Sequence, residues 1–125
     1  MILPFKPIFK PKIESGIKKH SIRQDKHKCW KIGVKIHMAT GVRTKHYDCF
    51  NDKHSCSGTQ SINITPLWRY RIHTHYVSVD GRKLSDKEIR QLAINDGFNC
   101  VSEFFEWFER GLNNGTLIHW TNLKY

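Results

Sequence analysis

Apolar and polar positions alternate in short runs through most of this chain, and a helical period replaces the alternation only late. Lys31–Ala39 alternates through Val34, Ile36 and Met38, and Gly58–Thr65 through Ile62 and Ile64, so each predicts a strand with those side chains facing inward. Lys19–Gln24 places Lys19, Ser21 and Arg23 on one face and His20 and Ile22 on the other. The longest alternating stretch is Trp68–Val79, with Trp68, Tyr70, Ile72 and Tyr76 opposite Arg69, Arg71, His73 and His75. Asp80-Gly81 is a tight-turn pair between Val77-Ser78-Val79 and Arg82-Lys83-Leu84.

The period changes at Ser85. Ser85 and Glu88 form a capping box, with Leu84 and Ile89 placed as its hydrophobic staple. Ile89, Leu92 and Ala93 make the buried stripe of that helix, and Asn95-Asp96-Gly97 ends it. Val101, Phe104, Phe105, Phe108 and Leu112 form one apolar face of a second helix over about Val101–Leu112. Trp107 lies off that face, placed to cover a barrel end or to contact a partner. Asn113-Asn114-Gly115 reads as a turn before a closing strand, Thr116–Leu123. At the other end, Pro4 and Pro7 restrict Met1–Phe9 to an edge strand or an extended lead-in. Lys10–Ser15 has room for one or two helical turns between Pro11 and Gly16. Residues 40–57 are polar and weakly periodic, either an exposed insertion or a loop over a pocket. About six strands with two to three short helices, not alternating as βαβ units, predict an α+β barrel. At 125 residues the chain is expected to form one domain, 1–125.

Charge adds a direction to this picture. The formal net charge is +10, which favours an anionic partner such as nucleic acid or an acidic membrane surface. Residues 1–50 hold 12 Lys/Arg against 3 Asp/Glu, whereas residues 85–125 hold 4 against 6, so the attraction lives in the first half. The bland reading is a basic surface kept for solubility. No apolar run is long enough for a membrane span, and Pro4, Lys6, Pro7 and Lys10 interrupt any signal-like stretch. The expectation is a cytoplasmic protein with Cys29, Cys49, Cys56 and Cys100 reduced. Cys49 and Cys56 lie near His46 and His54, but the tight pairs of a structural zinc site are missing, so neither metal nor cofactor is expected. Cys100 is expected to be a small buried hydrophobe.

Gly16-Ile17-Lys18-Lys19-His20-Ser21-Ile22-Arg23 concentrates the candidate chemistry. Lys18 joins the face of Ser21 only if it still lies in the turn after Gly16. The spacing resembles the Gly-x-Lys-x-x-(Thr/Ser)-x-Arg signature of ASCH domains, small barrels of the PUA-like superfamily. The likeness extends, in order, to a short helix before Gly16, the Lys31-Ile32-Gly33 step, the Asp96-Gly97-Phe98 step, the aromatic helix and a closing strand. Two positions depart from the pattern: Ile17 stands where Arg is frequent, and Lys19 where Thr is.

The resemblance implies a PUA-like barrel and two classes of function. One is binding of RNA or another nucleic acid. Lys18, Lys19, Ser21 and Arg23 would line a basic cleft; from the chemistry of the residues alone, Arg69 and Arg71 are candidates to extend a phosphate track, and Trp30, Tyr47 or Phe50 to stack on bases. The plain alternative makes Arg69, Arg71, His73 and His75 the wet face of a strand and the aromatics packing residues. The other class is hydrolysis of an acylated nucleoside such as acetylated cytidine, with Lys18, Ser21 and Asp96 as catalytic groups. Ribonuclease activity is a third expectation. Asp96 also reads simply as a helix-end residue that supports its own turn.

Overall fold

The computed structural model describes residues 1–65 and 76–125. In chain order the elements are β1 (Ile2–Pro4), a 3-10 turn (Pro7–Phe9), α1 (Lys10–Glu14), β2 (His20–Arg23), β3 (Lys35–Thr40), β4 (Asp48–Ser55), β5 (Gly58–Thr65), β6 (Tyr76–Val79), β7 (Arg82–Lys83), α2 (Asp86–Asn95), α3 (Val101–Trp107) and β8 (Leu112–His119). The fold is α+β, with these eight strands in two sheets ordered β1-β3-β4 and β2-β8-β5-β6-β7.

Each sheet follows from local chemistry. β1 pairs parallel to β3 at the edge of the smaller sheet, where Pro4 needs no further ladder partner. Ile36 and Met38 of β3 are fully buried, as their alternation predicts. In the larger sheet β8 is central, antiparallel to both β2 and β5. Asp80 and Gly81 both take positive φ, which twists the β6–β7 hairpin as two short strands require. The chain changes sheets between neighbouring residues. Cys56 N donates to Val34 O at 2.8 Å, beside the β3–β4 pair, and Ser57 N donates to His119 O at 2.9 Å, beside β8.

The helices lie near the candidate residues. Ser85 Oγ accepts from Glu88 N, Glu88 accepts from Ser85 N, and Ile89, Leu92 and Ala93 bury the inner stripe of α2. The core continues through Phe9, Phe98 and Phe104, whose rings pack edge to face.

Four local readings change. The expected helix Val101–Leu112 stops at Trp107, because Phe108 leaves helical geometry and Gly111 takes φ +74. Asn113-Asn114-Gly115 is not a turn between elements but a bulge inside β8. Ile62 faces Gly115 and Ile64 faces Leu112, so two steps on β5 span three on β8. Asn114 takes φ +54 there and its N–H reaches Asn63 Oδ1 at 2.8 Å. The polar stretch 40–57 holds β4, an edge strand mostly open to solvent, which removes the need for apolar alternation. Cys100 is exposed rather than buried, because it caps α3 instead of sitting on its inner face. Of Trp68–Val79, only Tyr76–Val79 falls among the described residues, as β6.

Candidate functional site

The site begins where α1 hands the chain to β2. Gly16 takes φ +81, and the turn closes with Gly16 N on Ile13 O at 3.1 Å and Lys18 N on Lys12 O at 3.0 Å. Lys19 N then donates to Asn95 O at 2.7 Å, docking this lead-in on the end of α2. β2 starts only at His20, so Lys18 precedes the strand's alternation and can share a hollow with Ser21.

That hollow is a cavity of about 180 Å³. Lys18, Ser21, Arg23 and Asp96 supply the inner part of its polar lining, the exposed Lys6 also lines it, and Phe5, Phe9, Phe98 and Trp107 wall it with rings. Lys18 is 3% exposed. Its ammonium donates to the backbone carbonyl of Asp96 at 2.5 Å and pairs with Asp96 Oδ1 at 3.1 Å. It also lies 4.8 Å from the centre of the Phe9 ring and 5.6 Å from that of Phe5. Burial holds the Lys18 ammonium below the ordinary lysine range; Asp96 opposes that shift and Arg23 adds slightly to it.

Arg23 forms the adjoining wall. Its Nε donates to Ser21 Oγ at 2.9 Å, its Nη2 donates to Pro4 O, and its guanidinium stacks 5.1 Å from the Phe5 ring. Because Ser21 Oγ accepts from Arg23, the serine hydrogen remains available to another acceptor. Gly97 makes the approach of Asp96 and Lys18 sterically feasible. Its φ is +98, and a Cβ there would sit 3.0 Å from Phe9 Cδ1 and 3.1 Å from Lys18 Cδ.

Behind Asp96 runs a chain of hydrogen bonds with one consistent polarity. Gln91 Nε2 donates to Asn95 Oδ1 at 3.0 Å, and Asn95 Nδ2 donates to Tyr125 Oη at 2.9 Å. Tyr125 Oη lies 2.7 Å from His20 Nε2, and His20 Nδ1 lies 3.2 Å from Asp96 Oδ1. A carboxylate only accepts, so Nδ1 carries the imidazole proton and Tyr125 donates to Nε2. Burial lowers the His20 pKa, which favours this neutral tautomer. Lys18 and His20 therefore both direct hydrogens at the same oxygen, Oδ1.

The remaining candidates separate from this cluster. Lys19 is half-buried and does not line the cavity. Trp30 packs against the core, its N–H held by Asp25 Oδ2 at 3.1 Å, and it too lies outside the cavity lining. Phe50 packs 6.5 Å from Phe5, and Tyr47 is exposed. Arg69, Arg71, His73 and His75 lie outside the described residues. Among the described residues no three His, Cys, Asp or Glu groups come together to hold a metal ion, and all four cysteines are free. No described helix is long and apolar enough to cross a membrane.

Sequence reasoning missed His20, Asn95 and Tyr125. His20 carried a signal, since alternation sends it inward beside Ile22, and a buried histidine needs a polar partner. Gln91 lies one helical turn from Asn95, but the bonds that tie Asn95 to Tyr125 and Tyr125 to His20 span 30 and 105 positions and carried no local signal.

No family model, curated protein or solved structure matches the chain. What the site can do therefore rests on its own chemistry: a small, ring-walled cavity in an α+β fold, with a buried lysine–aspartate pair at one side.

Proposed function

We propose that this chain is an ASCH-type, PUA-like domain, its two sheets acting as the walls of a barrel, and that its cavity receives one nucleobase from RNA or from a modified nucleoside. The observation that carries this reading is the convergence of Lys18, Ser21, Arg23 and Asp96 on one cavity walled by Phe5, Phe9, Phe98 and Trp107. A flat heteroaromatic ring needs both kinds of surface: rings against its faces and fixed donors and acceptors at its edge. Lys18 is committed to Asp96 and shielded from solvent, so it serves the base rather than a phosphate. Phosphates are left to the more exposed cations of the basic first half of the chain. The cytoplasm is the expected place of action.

Binding of a short RNA and of free cytidine, each titrated across a salt series, tests this reading. RNA affinity falls steeply with salt while cytidine affinity does not. Ser21→Ala and Lys18→Met weaken both ligands. Wild-type protein that binds neither ligand overturns the reading.

A second reading, hydrolysis of an acylated nucleoside, is favoured by the lowered Lys18 pKa beside Asp96. As the amine, Lys18 takes a proton from water. The resulting hydroxide adds to the acyl carbon of the exocyclic amide. Arg23 and the Ser21 hydroxyl donate to the oxyanion. Lys18 then returns the proton to the departing nitrogen as the C–N bond breaks, leaving a carboxylic acid and the free amine. Incubation with N4-acetylcytidine, read for cytidine and acetate, tests it. Lys18→Met abolishes product under this reading, and its absence from wild-type reactions eliminates the hydrolase.

A further inference from the structure

A second hollow adjoins the cavity and shares one wall with it. Pro4 lines both, and Ile2, Val42, Arg43 and Tyr47 complete the second. Its volume is about 660 Å³, several times that of the cavity. Resting on the base-binding reading above, we propose that this annex holds the nucleotide next to the base in the cavity, so that the ligand is a single-stranded polynucleotide rather than a free nucleoside.

Three observations support the annex. Its chemistry suits a nucleotide: Arg43 and Tyr47 are both exposed, offering a guanidinium for phosphate and a ring for stacking. Lys45 adds a further exposed cation in the same loop. The nearest acid in sequence, Asp48, is paired with Lys10 at 3.1 Å, which reduces its repulsion of a phosphate.

The loop is also built to hold these groups in place. Thr44 Oγ1 donates to Gly41 O at 2.7 Å, and His46 N donates to Thr44 Oγ1 at 3.1 Å. Thr44 N reaches Gly41 O at 3.0 Å, and Tyr47 N reaches Thr44 O at 3.3 Å. Within this frame Arg43 takes φ +64, a left-handed conformation that an arginine rarely adopts. Gly41 is constrained in the same loop: its φ is +62, and a Cβ there would lie 2.5 Å from His46 O.

The annex explains how a basic chain with a buried, neutralised lysine still attracts an anion. The cavity reads the base, and the loop 41–47 engages the strand beside it. A phosphate contact of this kind makes affinity salt-dependent, whereas the cavity alone does not.

The test compares a short single-stranded RNA with cytidine at its centre against cytidine 5′-monophosphate, using wild type, Arg43→Asn/Tyr47→Ala and Tyr47→Phe. Asparagine tolerates the left-handed backbone, so the first variant keeps the loop's geometry. The double variant is expected to lose about tenfold in RNA affinity, with a shallower salt dependence, and to bind the mononucleotide as wild type does. Tyr47→Phe, which keeps the ring, is expected to bind RNA like wild type. Equal RNA affinity in wild type and double variant overturns the annex, as does RNA that binds no tighter than the mononucleotide; both results leave the base pocket standing. Wild type that binds neither ligand overturns the pocket and the annex together. Tyr47→Ala alone repeats the comparison should the double variant unfold.

Discussion

Lys18 Nζ lies 3.1 Å from Asp96 Oδ1, although 78 positions separate the two residues and both side chains are almost wholly removed from solvent. Two charges in such a place depend on one another, because each is the other's principal compensation for lost water. Lys18→Met leaves Asp96 buried with His20 as its remaining side-chain hydrogen-bond partner among the described residues and is expected to cost about 3 kcal/mol or more in urea unfolding. Adding Asp96→Asn to that variant recovers part of the loss, since no net buried charge then remains. Strict additivity of the two single changes would refute the coupling.

Tyr125 completes the polar chain behind Asp96. Tyr125→Phe strands His20 Nε2 and Asn95 Nδ2 at once. The expected loss is about 1–3 kcal/mol, measured by denaturant unfolding. A second readout separates orientation from packing. Asp96 still fixes the His20 Nδ1–H tautomer in the variant, so nitrogen NMR is expected to show that tautomer retained and the Nε2 signal shifted by loss of the Tyr125 hydrogen bond. An unchanged Nε2 signal would mean that Tyr125 only fills space.

Burial holds His119 down to about 3, with repulsion from His20 and Lys124 adding to it, and burial also lowers His20. Both are therefore neutral in the folded protein where the unfolded chain, near 6.5, begins to take up protons. Their contribution is fully present above about pH 6.5 and is lost progressively as pH falls from there towards about 3. The urea midpoint should drop between about pH 7.5 and about pH 5. His119 Nε2 also bonds Gln60 Oε1 at 3.0 Å, so His119→Gln is expected to flatten part of that dependence. A midpoint that rises on acidification contradicts the assignment.

Gly97 holds the turn that brings Asp96 to Lys18. Gly97→Ala introduces a strained φ and crowds Phe9 and the Lys18 stem. The expected cost is about 1–3 kcal/mol in thermal or urea unfolding. Ligand binding in the cavity should weaken further than the stability loss alone explains, because the substituted methyl pushes on Lys18 itself. A variant with wild-type affinity would place the ligand elsewhere.

Some of this structure is legible from residue order because the chemistry is local. Ser85 and Glu88 cap α2 through contacts three residues apart, and Asp80-Gly81 turns the chain within its own dipeptide. The inward faces of β3 and β5 follow from alternation. Other features depend on partners that local pattern does not reveal. β4 lies on an edge and needs no apolar stripe, so Asp48–Ser55 reads as loop. Asn113-Asn114-Gly115 has turn composition, yet Asn63 across the ladder absorbs it as a bulge. The same division runs through the site. Spacing groups Lys18, Ser21 and Arg23, but only the resemblance adds Asp96, and nothing in the order of residues joins Tyr125 to His20.

The cavity straddles the junction of the two sheets: Pro4 belongs to one, Ser21 and Arg23 to the other. Any shear between those layers must therefore change its shape. An occupant would act as a dowel, resisting slippage of one layer past the other, and its grip should appear as slower hydrogen exchange on both sides of the joint rather than around the ligand alone.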